Sequence, residues 1–201
     1  MSSATRDVTI IDSGGANLAS LQFALERLGA SSVVSSDAAV IGAARRVLLP
    51  GVGAAADAMA RLRAAGLDRT IPQLQQPLLG ICLGMQLLFA GSQEGNTQCL
   101  GVIDGRVERI VGSSELPVPH MGWNNVSIRR DDPLLRGFSD QDYVYFVHSF
   151  AAGVGEHTLA STDYGTPFSA IVRRANFWGV QFHPERSAAT GALLLKNFLE
   201  L

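Results

Sequence analysis

The chain has 201 residues, 47% hydrophobic and 17% charged, long enough to bury a layered core and too apolar for intrinsic disorder. Lys and Arg number 16 against 18 Asp and Glu, a formal net charge of −2, which argues against a nucleic-acid binder working through a basic face. The 2 cysteines, Cys82 and Cys99, form no C-x-x-C and sit in no His/Cys cluster at zinc spacing; this argues against a disulfide framework or structural metal and fits a reducing, cytoplasmic setting.

Val8 to Ile11 reads as a buried strand that ends at Asp12-Ser-Gly-Gly. Leu18, Leu21, Leu25 and Leu28 then recur at helical spacing up to Gly29. Val33-Val34 is a short second strand, and Val47 to Leu49 a third, closed by Pro50-Gly-Val-Gly53. A helix through Ala58, Met59 and Leu62 ends near Gly66. Leu78 to Cys82 is another buried strand, and Met85 to Phe89 begins another helix. Glycines and Gln86 break the apolar run from Pro77 to Ala90, so it is not expected to cross a membrane, and the start, Met1 to Asp7 running into Val8 to Ile11, is too short and too early interrupted for a signal peptide. Beyond residue 100, strands are expected at Arg106–Val111, Asn125–Ile128, Tyr143–Val147, Phe168–Val172 and Trp178–Phe182, before a closing helix from Ala188. The expectation is a single α/β domain over residues 1–201. Its central sheet is mostly parallel with flanking helices, and its second half is β-rich.

Three segments carry chemistry. In Gly80-Ile-Cys82-Leu-Gly84 a strand turns at once into a helix, the layout that projects a nucleophile at the carboxyl edge of a sheet. The partial positive charge of the helix start favours a thiolate there. In His183-Pro-Glu185, alternate positions of an extended segment put base and orienter on one side: His183 takes the thiol proton and Glu185 holds the tautomer. In Pro50-Gly51-Val52-Gly53, backbone N–H groups can join that of Leu83 in an oxyanion hole, where losing one donor costs about 2.7–4 kcal/mol of transition-state stabilisation. Each segment alone also fits a plainer role: a small core cysteine, a solvated surface pair, an ordinary turn. Together they are hard to dismiss.

These three segments resemble those of the class I (triad) glutamine amidotransferases. Pro119-His-Met-Gly-Trp-Asn124, Tyr145-Phe-Val-His-Ser149 and Ile11-Asp-Ser-Gly-Gly-Ala-Asn-Leu18 narrow the resemblance to the glutaminase subunits of imidazole glycerol phosphate synthases, over about Val8 to Leu201. The resemblance implies that Cys82 attacks the glutamine amide to form a γ-glutamyl thioester, with His183 and Glu185 completing a triad. It places Val52 and Leu83 at the oxyanion, with Gly51 and Gly53 giving the loop its freedom. Gln86, Glu94, His148, Ser149 and Phe150 would bind glutamine, Glu94 meeting its ammonium. Ammonia would pass to a cyclase subunit, a (β/α)8 barrel, meeting this chain at Asn17, Pro119, Met121 and Trp123. No cofactor and no metal are expected.

Ser13, Ala55, Gln93 and Phe150 depart from the residues usual in that family, which puts details of glutamine affinity and loop gating in doubt, while the triad is intact. Two alternatives stay open: a glutaminase feeding another synthase, and a catalytically silent docking subunit. Cys99 has no partner at useful spacing and is read as structural.

Overall fold

The computed structural model describes residues 7–14 and 18–201. Strands and helices alternate through its first half: β1 (Val8–Ile11), α1 (Leu18–Arg27), β2 (Ser32–Ser35), α2 (Ala38–Gly42), β3 (Val47–Gly51), α3 (Ala55–Ala64), α4 (Leu67–Thr70), β4 (Leu78–Cys82) and α5 (Leu83–Leu87). Ten strands follow: β5 (Phe89–Ser92), β6 (Thr97–Gln98), β7 (Ile103–Arg109), β8 (His120–Asn125), β9 (Ser127–Ile128), β10 (Tyr143–His148), β11 (Phe150–Ala152), β12 (Thr158–Tyr164), β13 (Thr166–Arg174) and β14 (Phe177–Val180). The helix α6 (Ala188–Leu199) closes the chain.

Among the described residues an eight-stranded sheet runs in the order β2-β1-β3-β4-β14-β13-β12-β9. From β2 to β14 the strands are parallel, and β13, β12 and β9 add an antiparallel wing. Beside it lie a two-stranded ribbon, β8 with β10, and a four-stranded sheet, β11-β7-β5-β6. The α/β architecture with a mostly parallel central sheet is the one expected.

Successive strand residues point to opposite faces, and here both faces are covered. Ile10, Leu48, Leu79 and Ile81 pack with Leu21 and Leu25 of α1 and with Leu194 and Phe198 of α6. Their neighbours Ile11, Val47, Leu49 and Leu78 pack on the other face with Met59 and Leu62 of α3. Burial of each such side chain contributes about 1.5–3 kcal/mol, so the parallel strands read as unbroken apolar runs. Helix α1 stops where expected because Gly29 takes φ 76°, letting the N–H of Ala30 turn back to the Leu25 carbonyl at 3.0 Å.

Several expected boundaries are corrected. The helix expected to run on from Met85 through Phe89 ends at Leu87, and Phe89 begins β5, which pairs with β7. The strand expected at Arg106–Val111 starts earlier, at Ile103, and stops at Arg109, leaving Val111 86% exposed. Asn125 ends β8 rather than opening the next strand, and Gln181 and Phe182 lie past the end of β14. Strands β6, β8, β11 and β12 have no counterpart among the expected strands.

Candidate active site

The turn at Cys82 is the sharpest feature of the sheet's carboxyl edge. Cys82 ends β4, and α5 begins at the next residue, with the cysteine at φ 53°, ψ −112°. A non-glycine residue there stores about 1–3 kcal/mol of strain. The turn is tight because α5 rests directly on the backbone of β3. A Cβ on Gly84 would lie 1.7 Å from the Leu49 carbonyl oxygen. The thiol, 7% exposed, has the Val147 carbonyl 3.9 Å away and Nε2 of Gln181 at 3.7 Å.

Strand β14 lies next to β4 in parallel register, Val180 opposite Ile81, so the segment after it reaches the same edge. His183 stands there, its N–H donating to the Tyr145 carbonyl at 3.0 Å. Ser187 closes a ring: its hydroxyl donates to the His183 carbonyl at 2.7 Å and accepts from the Tyr145 N–H at 2.9 Å. His183 Nδ1 is 2.9 Å from Oε1 of Glu185. The pairing arises differently from the sequence expectation: Pro184–Arg186 form a 3-10 turn, and it is this turn, not strand alternation, that brings the carboxylate to the ring.

With Nδ1 taken by Glu185, the interaction with the Cys82 thiol falls to Nε2, which is buried and makes no hydrogen bond of its own. Burial pushes the imidazole down, yet the thiol and the carboxylate more than offset it, raising His183 to about 10. A ring held this way takes a proton readily from sulfur and has one to give to a leaving group.

The loop expected to hold the oxyanion donors starts at the end of β3. Gly51 pairs with Cys82 across the sheet, and a Cβ on Gly51 would stand 3.0 Å from the Gly84 nitrogen. Val52 is half-buried, Gly53 takes φ 86°, and Leu83, as the first residue of α5, has an N–H without an intrahelical partner. Ser13 bears on this loop: its buried hydroxyl donates to the Pro50 carbonyl at 2.7 Å, pinning the Pro50–Gly51 peptide.

A cavity of about 650 Å3 opens over Cys82 and is lined by Gln86, Glu94, Ser149 and Phe150 among others. Glu94 has one oxygen committed, Oε2 accepting from the Ala55 N–H at 2.7 Å. It thereby caps α3, whose own N-cap residue, Ala54, has no side chain to do so. Gln86 is 5% exposed, and its Nε2 donates to the Phe150 carbonyl at 2.8 Å and to Oε1 of Gln181 at 2.9 Å. His148 borders the cavity, but both ring nitrogens bond within the protein, to Phe150 and to His120.

Burial pushes His148 down to about 3 and His120 down to about 4, so both stay neutral in the fold. An unfolded chain would protonate them from the ordinary value of 6.5 downward. The unfolded state then binds more protons, and stability falls with pH. His183 acts oppositely: its contribution is complete below 6.5 and is lost as pH rises to about 10. The urea midpoint is therefore expected to drop between pH 6.5 and 5, before most carboxylates titrate; a flat profile there would mean that the two rings are charged in the fold.

Pro119, Met121 and Trp123 lie together at the protein surface, Met121 61% and Trp123 52% exposed on the outer face of β8, with Tyr143 57% exposed on β10. Core packing is thereby excluded for Met121 and Trp123. Asn17 lies outside the described residues. Three residues near the site carry no role in the sequence reading. Gln181 could have been found by alternation with His183, whereas Ser187 and Arg109, which borders the cavity, carry no spacing signal. His120 reads from the sequence as an interface or pocket-rim residue with no nucleophile near it in the chain. Burial pushes Cys99 up to about 11, consistent with an inert structural thiol.

A family model described as Glutamine amidotransferase class-I matches residues 9–201. The chain belongs to the class-I glutamine amidotransferases. Among its relatives, a protein of Vibrio cholerae named imidazole glycerol phosphate synthase subunit HisH is 49% identical, the match covering 98% of this chain and 100% of that protein. A protein of the same name from Xanthomonas campestris is 53% identical, over 97% of this chain and 98% of its own. Solved structures share the amidotransferase fold at low identity. A glutamine amidotransferase superposes with a TM-score of 0.74 at 20% identity, covering 96% of this chain and 97% of its own. The glutaminase domain of Trypanosoma brucei CTPS with bound acivicin gives 0.63 at 15% identity, covering 96% and 93%.

Proposed function

We propose that this amidotransferase hydrolyses glutamine to glutamate and ammonia through a Cys82–His183–Glu185 triad, as the glutaminase subunit of an imidazole glycerol phosphate synthase in histidine biosynthesis. The observation that carries the reading is the strained Cys82 turn meeting the 2.9 Å His183–Glu185 pair at the mouth of one cavity. The near full-length relatives named HisH support the choice of synthase.

Cys82 Sγ, its proton already held on His183 Nε2, attacks the γ-amide carbon of glutamine. The resulting oxyanion is met by the N–H groups of Val52 and Leu83. His183 returns the proton to the amide nitrogen, the C–N bond breaks, and ammonia leaves a γ-glutamyl thioester. Water, deprotonated by the same imidazole, cleaves the thioester, and the thiol recovers its proton as glutamate departs. Glu94, Gln86, Ser149 and Phe150 hold the glutamine, the free oxygen of Glu94 meeting its ammonium.

Ammonia released into water would be lost as ammonium, so the product calls for a channel into a second subunit. That partner is a (β/α)8-barrel cyclase making imidazole glycerol phosphate and the carboxamide ribotide AICAR, and it docks on Pro119, Met121 and Trp123; an exposed Trp and Met on one strand make apt anchors. The complex works in the cytoplasm. Turnover waits on the partner because a peptide at Gly51 or Val52 must turn its N–H toward the oxyanion.

The test is glutamate release by wild type and Cys82→Ser, alone and with the cyclase and its nucleotide. Partner-dependent release that falls by about 10^3-fold or more in the variant is expected. Full turnover by the isolated chain would remove the gating step and leave the glutaminase. No release under any condition, from a pair shown to associate, would overturn the reading in favour of a silent docking subunit.

A further inference from the structure

Two buried histidines outside the triad join strand β8 to the cavity wall. His120 is 3% exposed and His148 6%, and they face each other as a register pair of the β8–β10 ribbon. His148 Nδ1 lies 2.8 Å from the Phe150 carbonyl oxygen. A carbonyl only accepts, so this nitrogen carries a proton, and in a neutral ring Nε2 is then an acceptor. His148 Nε2 is 3.0 Å from His120 Nδ1. Nδ1 of His120 must therefore donate, which leaves its own Nε2 as an acceptor. Nδ2 of Asn124 supplies the donor at 3.4 Å and gives its second hydrogen to the Asp163 carbonyl at 3.0 Å. The amide is oriented for this because its oxygen accepts from the Asn125 N–H at 2.9 Å.

Every proton in the row is thus assigned, and all donors point one way, from Asn124 toward the cavity. The row ends on the carbonyl that also accepts from Gln86 Nε2 at 2.8 Å. Gln86 in turn holds Gln181, whose Nε2 is 3.7 Å from the Cys82 sulfur. The rings do pack as well, His120 stacking on Tyr164 at 3.9 Å between centroids and on Phe146 at 4.9 Å. Stacking alone would be served by phenylalanine. It would not require both imidazoles to hold their proton on Nδ1, the tautomer that neutral imidazole disfavours in water.

We propose that His120 and His148 are positioning residues of the glutamine site, a one-way hydrogen-bonded strut that fixes the Phe150 carbonyl and, through it, the Gln86–Gln181 pair beside the nucleophile. The kinetic part of this inference rests on the glutaminase reading; the proton assignment does not.

The experiment pairs two measurements on the full chain in complex with its partner subunit. Nitrogen-15 NMR of labelled histidines reads the tautomers in wild type, and glutamine kinetics are compared for His120→Phe and His120→Asn. Both rings are expected as Nδ1–H, exchanging slowly with water. His120→Phe keeps the stacking and loses the donor, and is expected to raise KM for glutamine about 10-fold with kcat within about 2-fold, the split that marks a binding wall rather than a reacting group. The rate of Cys82 alkylation by iodoacetamide should be unchanged. In His120→Asn the amide nitrogen reaches the place of Nδ1, and KM should return to within about 3-fold of wild type.

An Nε2–H tautomer on either ring would overturn the strut, as would equal impairment of the two variants, which would reduce the pair to packing. A normal KM in His120→Phe would do the same. If wild type released no glutamate while both rings read Nδ1–H, the glutaminase reading would have failed and taken the positioning role with it, leaving only the proton assignment.

Discussion

Gly84→Ala is expected to destabilise the protein by about 3–5 kcal/mol, more than an ordinary overpacking change. The new methyl would lie 1.7 Å from the Leu49 carbonyl oxygen and 2.7 Å from its carbon. Both are backbone atoms, so no side chain can swing aside. Relief requires α5 to lift from β3, or β3 to leave its register with β4, where Leu49 faces Gly80. Alanine's better helix propensity returns only about 1 kcal/mol and does not decide the sign. The loss should appear as a thermal midpoint about 10 °C lower or as failure to accumulate folded chain. A variant of ordinary stability would mean that α5 does not rest on β3 as described.

Glu185→Gln is expected to lower kcat by about 10^3- to 10^4-fold while leaving KM for glutamine within a few-fold. The carboxylate can only accept, so it holds the proton on His183 Nδ1 and leaves the Nε2 side of the ring for the proton shared with sulfur. A carboxamide can present its NH2 group instead, stabilising the tautomer with the proton already on Nε2. The substitution also removes one of the interactions that raise His183 to about 10, so the alkaline limb of the pH–rate profile should move toward neutrality. More than a tenth of wild-type kcat in the variant would show that Glu185 is not the orienter.

Both predictions rest on features that the sequence displays unevenly. The Gly80–Gly84 turn is legible because a buried parallel strand, a small nucleophile and two glycines have few other uses together. His183 and Glu185 are legible as a pair, but the turn that unites them is not, because Pro184 fits an extended segment as well as the first position of a 3-10 turn. Phe89 reads as helical because the run from Met85 to Leu88 is buried all round, and periodicity does not separate a buried helix from a buried strand. Strand β12 hides for the opposite reason. It buries Thr158, Ser161 and Thr162, which look like loop residues until their partners are known. The Thr158 hydroxyl meets that of Ser169 at 2.8 Å, and Thr162 donates to the Asn125 carbonyl at 2.9 Å. The His120–His148 row is likewise invisible, since β8 and β10 meet through a register that no local pattern encodes.

The place of β14 in the sheet also sets a timetable for synthesis. It is the neighbour of β4, yet Gln181 and Cys82 are 99 residues apart. At about 5–20 residues per second, the cysteine is made several seconds before the strand that brings His183 to it. Until β14 slots between β4 and β13, the chain on the ribosome has an unfilled seam in its main sheet and a thiol with no imidazole beside it. Closing that seam is a pairing of high sequence separation, the class of contact that folds slowly. The same insertion completes the main sheet and brings His183 to the edge where Cys82 stands, so a chain truncated before residue 177 would lack both.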